Sequence, residues 1–293
     1  YYTTYLHHVQ IFSYYTCQVM FFLKVFIIKM VIDMNVLYTG ATSGIAKEVI
    51  SYLLRDPFVV IYLGVHTKEQ LQVMRTYYHG IKNVQILKLD ITNVEDYRSL
   101  DNIQIDVVVH NAAIGYGGSL FDMPIEKVRE NYETNIFGTL QLTQYLFPKF
   151  RKQKHGRIIF MSSLAGIIPI SFIGSYASSK ASLIMIARIL KNETRKLDFP
   201  LDVILIEPGL YHTGFNQLLF ETKYENMKDS IFWSKRGQIT RQEKWLLRLL
   251  EKNNKKTIAR QIYHAIYDLY PKSIYRAPFL QCLGAKIYQI LFW

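Results

Sequence analysis

From residue 35 onward, short runs of apolar residues alternate with stretches that have helical periodicity. The runs are apolar throughout, which is typical of strands buried on both faces of a parallel sheet. The predicted strands are 35–39, 59–63, 84–89, 105–110, 157–162 and 201–207, and the predicted helices are 44–55, 67–78, 125–151 and 175–197. This order predicts an α/β fold, with one doubly wound parallel sheet between two layers of helices. Ligands bind such sheets at the carboxyl ends of the strands, so the chemistry is expected there.

The 293 residues fit a single domain, because no internal repeat, low-complexity tract or Pro/Gly-rich linker divides them. We assign this domain to 34–276, with an insertion at about 210–253 that is expected to cover the substrate. Residues 1–33 form an N-terminal extension. Three hypotheses for it stay open: a leader foreign to the natural protein, a membrane anchor, or an extra packed helix. Met30 and Met34 stand just before the first strand and favour the leader.

Residues 277–293 form an amphipathic tail with apolar residues at helical spacing. These residues are Phe279, Leu280, Leu283, Ile287, Ile290 and Leu291. Such a face predicts packing on its own domain or on a partner subunit. Peripheral contact with a membrane surface is the alternative, supported by Lys286, Trp293 and the basic balance of the chain.

The formal net charge is +12, but the basic residues are scattered, and the densest group lies on the helix-like stretch 241–260. A solvated basic face is the favoured interpretation, and attraction to an anionic lipid or cofactor is the next; a nucleic-acid partner is not expected. Half of the chain is apolar, which argues against a disordered protein. Cys17 and Cys282 give neither a disulfide framework nor a metal-binding spacing. A reducing compartment and a cytoplasmic location are therefore predicted, with membrane association left open.

The stretch "YTGATSGIA" (38–46) follows the first strand and opens the first helix. Gly40 allows a tight turn, and Gly44 lets the helix N-terminus, with its free N–H groups, approach a pyrophosphate. Ala46 is the third small residue, at a place where close packing of helix and strand requires Gly or Ala. The turn therefore predicts a Rossmann-type dinucleotide site. The lysine of phosphate-binding loops is missing, so a nucleoside triphosphatase is not expected.

A tyrosine and a lysine one helical turn apart share a face, so the ammonium can lie near the phenol. This spacing occurs four times, as Tyr78/Lys82, Tyr145/Lys149, Tyr176/Lys180 and Tyr224/Lys228. Tyr176 and Lys180 alone lie in an uninterrupted helical stretch after a core strand. The other pairs span Gly80, lie in the insertion, or span Pro148, which is expected to disrupt its turn. Ser163 stands thirteen residues before Tyr176, and none of the other three tyrosines has a serine at that distance.

These motifs occur in the order found in one known family. The motifs are the spacing Gly-x-x-x-Gly-x-Ala, "HNAA" (110–113), "TNIFG" (134–138), the serine, tyrosine and lysine, and "EPGLYHT" (207–213). Together they resemble the compact branch of the short-chain dehydrogenase/reductase family. The resemblance covers roughly 34–215, although His110 and Ala113 depart from the family's Asn-Asn-Ala-Gly. It implies cofactor binding by Gly40, Ser43, Gly44, Ile45, His66, Asp90, Ile91, Asn111, Ala112, Pro208, Gly209 and Thr213.

The resemblance also implies a catalytic set of Asn135, Ser163, Tyr176 and Lys180, without a metal. Tyr176 would exchange a proton with the substrate oxygen while a hydride moves to or from the nicotinamide. A free tyrosine has a pKa of about 10, so Lys180 and the positive nicotinamide are expected to lower the pKa of this phenol. Ser163 would hydrogen-bond the substrate oxygen. Lys180 would hold the nicotinamide ribose, and Asn135 would hold a water that links Lys180 to solvent.

The end of the second strand distinguishes the two nicotinamide cofactors, because a carboxylate there binds ribose hydroxyls and a basic residue binds the 2′-phosphate of NADP. The strand end in "LGVHTKEQL" (63–71) has no carboxylate. His66 stands where the family's phosphate-binding arginine tends to be, and Lys68 is close by. The sequence therefore favours NADP and leaves NAD open.

Between Ser163 and Tyr176 the chain reads "LAGIIPISFIGS", an almost wholly apolar segment that lines the pocket in the family. With the aromatic insertion it indicates a lipophilic secondary alcohol or ketone; the alternative is that these residues build core. The stretches "IEPGLYHTGF" (206–215) and "SIYRAP" (273–278) resemble the hydroxysteroid and retinol dehydrogenase-like members of the family. Two other functions stay open: a non-catalytic member that binds dinucleotide as a sensor or scaffold, and a membrane-associated 3-ketolipid reductase. The resemblance further implies a homo-oligomer, a dimer or tetramer formed through 135–151 and 175–197.

Overall fold

Seven parallel strands form the centre of the part of the chain that a computed structural model describes, residues 34–292. They are β1 (Met34–Thr39), β2 (Val59–Val65), β3 (Val84–Lys88), β4 (Val107–His110), β5 (Gly156–Met161), β6 (Leu201–Pro208) and β7 (Ile274–Ala277). The order across the sheet is β3-β2-β1-β4-β5-β6-β7. The strand order therefore reverses between β1 and β4, where a crevice opens beyond the carboxyl ends of the strands. The predicted extension 1–33 lies outside the described residues.

Helices cover both faces of this sheet. They are α1 (Gly44–Leu53), α2 (Lys68–Tyr77), α3 (Ile125–Tyr132), α4 (Thr139–Gln153), α5 (Gly174–Thr194), α6 (Phe215–Asn226), α7 (Arg236–Leu250), α8 (Lys256–Tyr267) and α9 (Phe279–Phe292). One apolar cluster joins the strands to α1, α2 and α8, and a second joins the opposite face to α4 and α5. The predicted three-layer, doubly wound α/β fold is thus confirmed.

The long helix predicted at 125–151 departs from regular α geometry in its middle. Between α3 and α4 the chain makes one wider, π-helical turn at Glu133–Gly138. The expectation that Pro148 disrupts its turn is wrong, since α4 runs straight through it. Leu146 and Phe150 are fully buried on either side of this proline. Their packing on the sheet outweighs the one backbone hydrogen bond that a proline removes.

The chain after β6 is more regular than its sequence pattern indicates, because α6 and α7 lie within the predicted insertion. The helix-like stretch 241–260 is two helices rather than one. Between α7 and α8, the N–H of Lys252 donates to the carbonyl of Leu210, and its carbonyl accepts from the N–H of His212, at 3.0 Å each. The sequence pattern does not predict β7, because Arg276 interrupts these four residues and they do not form a continuous apolar run.

Helix α9 presents a different face to the domain from the predicted one. Cys282 and Ala285 are buried beside Leu164, whereas the six apolar residues of the predicted face are all exposed. Packing of those six residues on their own domain is therefore the wrong interpretation. Among residues 34–292, no helix combines the length and the apolar character that crossing a membrane requires.

Candidate active site

A glycine turn joins β1 to α1 at the crevice. Gly40 has a φ of +61°, and a Cβ built there would lie 2.7 Å from the Cα of Ala112. A residue with a side chain would be strained by this left-handed backbone and would also collide with the neighbouring strand end. The missing side chain of Gly40 therefore fixes the shape of the turn.

Asn111 holds this turn from the end of β4. Its Nδ2 donates to the carbonyl oxygens of Thr39 at 3.1 Å and of Gly40 at 2.9 Å. In the other direction, the Thr39 hydroxyl accepts from the backbone N–H groups of Asn111 and Ala112, both at 3.0 Å. These bonds join the ends of β1 and β4. Asn111 and Ala112, which are predicted to bind the cofactor, thus also shape the turn.

Helix α1 begins at this turn with its N-terminus toward the crevice. Ser43 caps the helix, since its hydroxyl accepts from the N–H of Ala46 at 3.2 Å. N–H groups in a first helical turn have no intrahelical partner, and the helix dipole adds partial positive charge. Such an N-terminus suits a phosphate group. Ser43 and Ile45 also line a cavity that extends toward β5 and α5.

Ser163, Tyr176 and Lys180 line that same cavity. Ser163 follows the carboxyl end of β5, and the first two turns of α5 carry the tyrosine and the lysine. Lys180 is buried, and its Nζ donates to the carbonyl of Met161 at 2.8 Å. The same Nζ is 5.7 Å from the centroid of the Tyr176 ring. The structure thus brings these three predicted catalytic side chains together.

Burial dominates the ionisation of both titratable groups. Burial raises the pKa of Tyr176 to about 12, and a hydrogen bond with Ser163 acts in the opposite direction. Burial lowers the pKa of Lys180 to about 8. The expectation that Lys180 lowers the pKa of the phenol is therefore not met by the chain's own residues. Loss of hydration disfavours the phenolate, and the ammonium donates to the carbonyl of Met161 instead.

Asn135 lies in the π-helical turn, and its whole side-chain amide is engaged by the chain. Its Oδ1 accepts from the N–H of Ile114, and its Nδ2 donates to the carbonyl of Ile114 and to the hydroxyl of Ser179, all at 2.9 Å. The Ser179 hydroxyl in turn donates to the carbonyl of Tyr176 at 2.7 Å. No sequence motif singles out Ser179, yet this serine connects Asn135 to the helix that carries the tyrosine.

A second pair of the same kind lies one helical turn earlier. Asn131 donates from its Nδ2 to the hydroxyl of Ser175 at 2.7 Å. The asparagines and the serines are each four residues apart on their own helices, so two matched pairs join α3 and its π-helical turn to α5. This repeated spacing is the sequence signal that could have revealed Ser179.

The cavity has a volume of about 750 Å³ and mostly apolar walls. Helix α6 forms one wall and packs directly on the tyrosine. The ring centroid of Phe215 lies 5.2 Å from that of Tyr176, and Leu219 belongs to the same buried cluster. A Cβ on Gly115 would lie 2.6 Å from a methyl group of Leu219. Glycine at this position therefore lets the helix approach Tyr176.

Gln281 of α9 closes the cavity from another side. Its Nε2 donates to the carbonyl of Leu250 at 2.6 Å, and its Oε1 accepts from the N–H of Leu210 at 2.7 Å. A Cβ on Gly209 would lie 2.1 Å from this Oε1, so the glycine makes room for the glutamine. Three of the residues predicted to bind the cofactor also line the cavity; they are Pro208, Gly209 and Thr213.

The sequence of the region just described matches a family model described as "short chain dehydrogenase", over residues 34–224. The match covers more than half of the chain. The chain belongs to the short-chain dehydrogenase/reductase family. The resemblance drawn from the glycine turn and from Ser163, Tyr176 and Lys180 is thereby confirmed. The match ends within α6, before the parts of α7 and α9 that complete the walls of the cavity.

Several curated members of the family are similar to this chain. An uncharacterized oxidoreductase of Bacillus subtilis is 33% identical over 182 residues, which cover 60% of this chain and 64% of that protein. The 3-ketodihydrosphingosine reductase of Bacteroides thetaiotaomicron is 31% identical over 61% of this chain and 65% of that enzyme. The match thus spans slightly less than two thirds of either relative. Estradiol 17-beta-dehydrogenase 2 of Mus musculus is 29% identical over 82% of this chain and 67% of that enzyme.

Solved structures of short-chain dehydrogenases have the same fold. A family member from Burkholderia phymatum in complex with NAD superposes with a TM-score of 0.74, at 16% identity, over 88% of this chain and 94% of that one. The closed form of serine dehydrogenase complexed with NADP+ gives a TM-score of 0.67, at 20% identity, over 85% of this chain and 96% of that one.

Other predicted cofactor residues of this chain lie outside the cavity lining. These are Gly40, Gly44, His66, Asp90, Ile91 and Ala112. His66 is 68% exposed, and its Nε2 lies 3.2 Å from the Oδ2 of Asp90. Burial pushes the pKa of Asp90 upward, but hydrogen bonds from Thr92 and the nearby His66 and Lys88 hold it below its usual value. The Asp90 carboxyl therefore stays ionised beside the exposed histidine.

His110 departs from the family pattern for a structural reason. Its ring stacks on Phe160 with centroids 5.1 Å apart, and its Nε2 lies 2.9 Å from the hydroxyl of Thr143. Burial lowers the pKa of His110 to about 3, so the ring is neutral near pH 7. It acts as a packed core residue between β5 and α4.

Two other Tyr-x-x-x-Lys pairs serve the packing of the domain. The Tyr145 hydroxyl donates to the carboxylate of Asp101, and Lys149 donates to the carbonyl of the same residue at 2.6 Å. Tyr224 shares a hydrogen bond with Thr240 and so joins α6 to α7. Neither tyrosine lines the cavity that holds the catalytic set.

Proposed function

We propose that the protein is an NAD(P)-dependent oxidoreductase that moves a hydride between a nicotinamide cofactor and a lipophilic secondary alcohol or ketone. Tyr176 is its acid and base, and NADP is favoured over NAD. The observation that carries the proposal is the meeting of Ser163, Tyr176 and Lys180 in one apolar cavity beside the glycine turn. Family membership supports the type of reaction. Solved relatives that hold NADP+ and NAD support the class of cofactor.

The residues of the crevice fit such a dinucleotide. The turn at Gly40 and Gly44 presents bare backbone at the N-terminus of α1, which suits a pyrophosphate. At the other end, the buried Lys180 ammonium has three donors, and its bond with Met161 uses one of them. Two N–H groups are then available for the hydroxyls of the nicotinamide ribose. The exposed His66, together with Lys68, would face the 2′-phosphate.

The cofactor, when bound, would donate or accept the hydride. In the reductive direction Tyr176 gives its phenolic proton to the carbonyl oxygen, and in the oxidative direction it takes that proton back. Ser163 donates a hydrogen bond to the same oxygen and stabilises its developing charge. A pKa of about 12 keeps Tyr176 protonated near neutral pH and suits the reductive role. Asn135, through Ser179, positions α5 and completes the predicted catalytic set.

The apolar walls support a bulky, lipophilic substrate. The insertion at 210–253 would cover that substrate, with Phe215 and Leu219 above Tyr176. Ser163, Tyr176 and Lys180 mark the end of the cavity where the carbonyl would lie. An apolar body would therefore lie between α6, α7 and α9, and the reacting oxygen would face the serine and the tyrosine.

Oxidation of NADPH with a panel of hydrophobic ketones tests this proposal. We expect wild-type turnover with at least one ketone, and a loss of kcat of about 10²- to 10⁴-fold in Tyr176→Phe because the proton donor is gone. Tyr145→Phe is the matched control, since it removes a phenol with the same spacing to a lysine but outside the cavity. Wild-type protein that binds NADPH and turns over no ketone or alcohol would indicate the non-catalytic sensor or scaffold instead.

A long-chain 3-ketolipid taken from a membrane surface is the second candidate substrate. Phe279 and Leu280 line the cavity and are still about three quarters exposed, so the rim of the cavity presents apolar groups to the outside. The similarity to a 3-ketodihydrosphingosine reductase points the same way. In this proposal the protein is cytoplasmic and contacts the membrane peripherally, with its basic charge facing anionic lipid.

Flotation with phosphatidylserine vesicles tests the membrane contact. Binding is expected for the wild type and is expected to fall in the double variant Phe279→Ser, Leu280→Ser. Val73→Ser is the control, because it removes another highly exposed apolar residue, on α2. Equal binding by all three proteins would remove the membrane from the proposal. Turnover of short soluble ketones in preference to 3-ketolipids would remove the lipid substrate.

We also propose a homo-oligomer, a dimer or a tetramer. Apolar side chains are exposed on the helices predicted to form the subunit contact, with Phe137 at 52%, Met185 at 56% and Ile189 at 48% exposure. Light scattering is expected to give two or four chains per particle. Met185→Glu is expected to reduce that number, because it places a charge in the contact. A monomeric wild type would refute the contact.

A further inference from the structure

The strand-like segment between α7 and α8 returns the chain to the glycine turn. Lys252 forms two backbone hydrogen bonds with the loop that follows β6, and Glu251 accepts from the side chain of Asn216 at 2.9 Å. The Tyr211 hydroxyl shares a 2.7 Å hydrogen bond with the hydroxyl of Thr257, at the start of α8. The residues between 252 and 257 are therefore held on both sides by the loop that carries Thr213.

This anchoring places one lysine directly over the glycine turn. A Cβ built on Gly44 would lie 3.3 Å from the Cε of Lys255, and equally 3.3 Å from the Cα and Cβ of Thr213. The ammonium of Lys255 is one bond beyond that Cε. The side chain, half-buried, thus lies against the N-terminus of α1, where the dinucleotide's pyrophosphate would be received.

Within residues 34–292, no side chain forms a hydrogen bond or an ion pair with the Lys255 ammonium. Its neighbours at the turn are a helix N-terminus and a threonine, and a helix N-terminus repels a cation. Among the described residues, the charge of this half-buried ammonium therefore has no partner of opposite sign. The pyrophosphate of a nicotinamide dinucleotide is an anion that would supply one.

We infer that Lys255 binds the pyrophosphate of the nicotinamide cofactor and closes the dinucleotide site from outside the segment that matches the family model. The inference rests on the proposed function. It assigns to the end of the insertion a second task besides covering the substrate. The backbone bonds of Lys252 and the Tyr211–Thr257 bond would pre-organise the lysine, which reduces the entropy lost when it binds an anion.

Titration calorimetry of the full chain with four ligands tests this inference. In Lys255→Met we expect the Kd to rise about tenfold for NADPH, NADH and ADP-ribose alike, since one charge-assisted bond to the shared pyrophosphate is lost. Adenosine 2′,5′-bisphosphate has no pyrophosphate, and its Kd is expected to stay within about twofold. Lys255→Arg is expected to retain most of the affinity, because it keeps the charge.

Lys256→Met is the matched control, because it removes the same charge one residue away, from an exposed side chain. An equal loss of ligand affinity in Lys256→Met would show that the effect comes from the overall positive charge of the protein, and it would overturn the inference. Weakening for NADPH but not for NADH would assign Lys255 to the 2′-phosphate and also overturn it, as would unchanged binding in Lys255→Met. Wild-type protein that binds none of the four ligands would instead overturn the proposed function itself.

Discussion

Lys180→Met is expected to make the protein more stable near pH 7 while it abolishes turnover. Lys180 is buried, and burial lowers its pKa from 10.5 to about 8. Between these two values the unfolded chain binds more protons than the folded chain does. Burying the charged ammonium therefore lowers the free energy of unfolding, and this free energy rises with pH through that window as the lysine loses its proton. Methionine has a similar length and no charge, so the substitution removes the cost of burying the ammonium.

The magnitude follows from the two pKa values. A difference of about 2.5 pKa units corresponds to about 3 kcal/mol near pH 7, because each unit is worth about 1.4 kcal/mol. The lost hydrogen bond to Met161 costs about 1 kcal/mol in return. A net gain of about 2 kcal/mol in the free energy of unfolding is expected near pH 7. The gain shrinks by about 1 kcal/mol near pH 9, where the folded wild type has lost most of that proton.

Urea denaturation of both proteins near pH 7 and near pH 9, in the same buffer series, measures the two differences. Lys180→Arg is the companion variant, because it keeps the charge and is expected to be less stable than the wild type at both pH values. A Lys180→Met protein that is no more stable than the wild type near pH 7 would refute the reasoning. An advantage that grows as the pH rises would refute it as well.

Three further substitutions probe the geometry of the site. A Cβ on Gly117 would lie 2.1 Å from the carbonyl oxygen of Leu219, so Gly117→Ala is expected to displace α6. We expect this variant to lose about 1–3 kcal/mol of stability. We also expect its KM for the ketone to rise while its affinity for NADPH stays unchanged. Ser179→Ala leaves a buried donor of Asn135 without its partner, so we expect a loss of about 1–3 kcal/mol and a lower kcat, both measured against the wild type. Gly40→Ala is expected to abolish NADPH binding in calorimetry, because the new methyl group collides with the end of β4.

Gly237→Ala is the common control for the glycine substitutions, since nothing lies within 4 Å of the Cβ it adds. An unchanged KM in Gly117→Ala would show that α6 does not cover the substrate. Normal kcat in Ser179→Ala would reduce this serine to a packing residue. Retained NADPH affinity in Gly40→Ala would contradict the proposed dinucleotide site.

The sequence predicts the sheet well because its strands are buried on both faces and are therefore apolar throughout. The six predicted strands and the glycine turn follow from this pattern. The meeting of Ser163 and Tyr176 in one cavity also follows, since the two residues have a fixed separation along the chain that can be counted without a structure. What these features share is that local sequence or fixed spacing encodes them.

Other features depend on contacts between distant parts of the chain, which periodicity does not report. The sequence pattern does not show that Gln281 reaches Leu210, or that Pro148 stays inside a helix because its neighbours are buried. It does not show that the insertion returns Lys255 to the glycine turn. The raised pKa of Tyr176 belongs to the same group, because burial by α6 produces it and the sequence order of residues does not reveal that burial.

The contact of Gln281 with Leu210 also sets the order in which the site can be assembled during synthesis. The chain is made from its N-terminus at about 5–20 residues per second, so residue 281 emerges about 4–14 s after the loop at Gly209. For those seconds the glycine turn, Ser163, Tyr176 and Lys180 already exist, while one apolar wall of the cavity is missing. The nascent chain therefore exposes the apolar lining of its cavity during this interval. Until α9 has been synthesised and has packed on the domain, this lining can bind chaperones or aggregate.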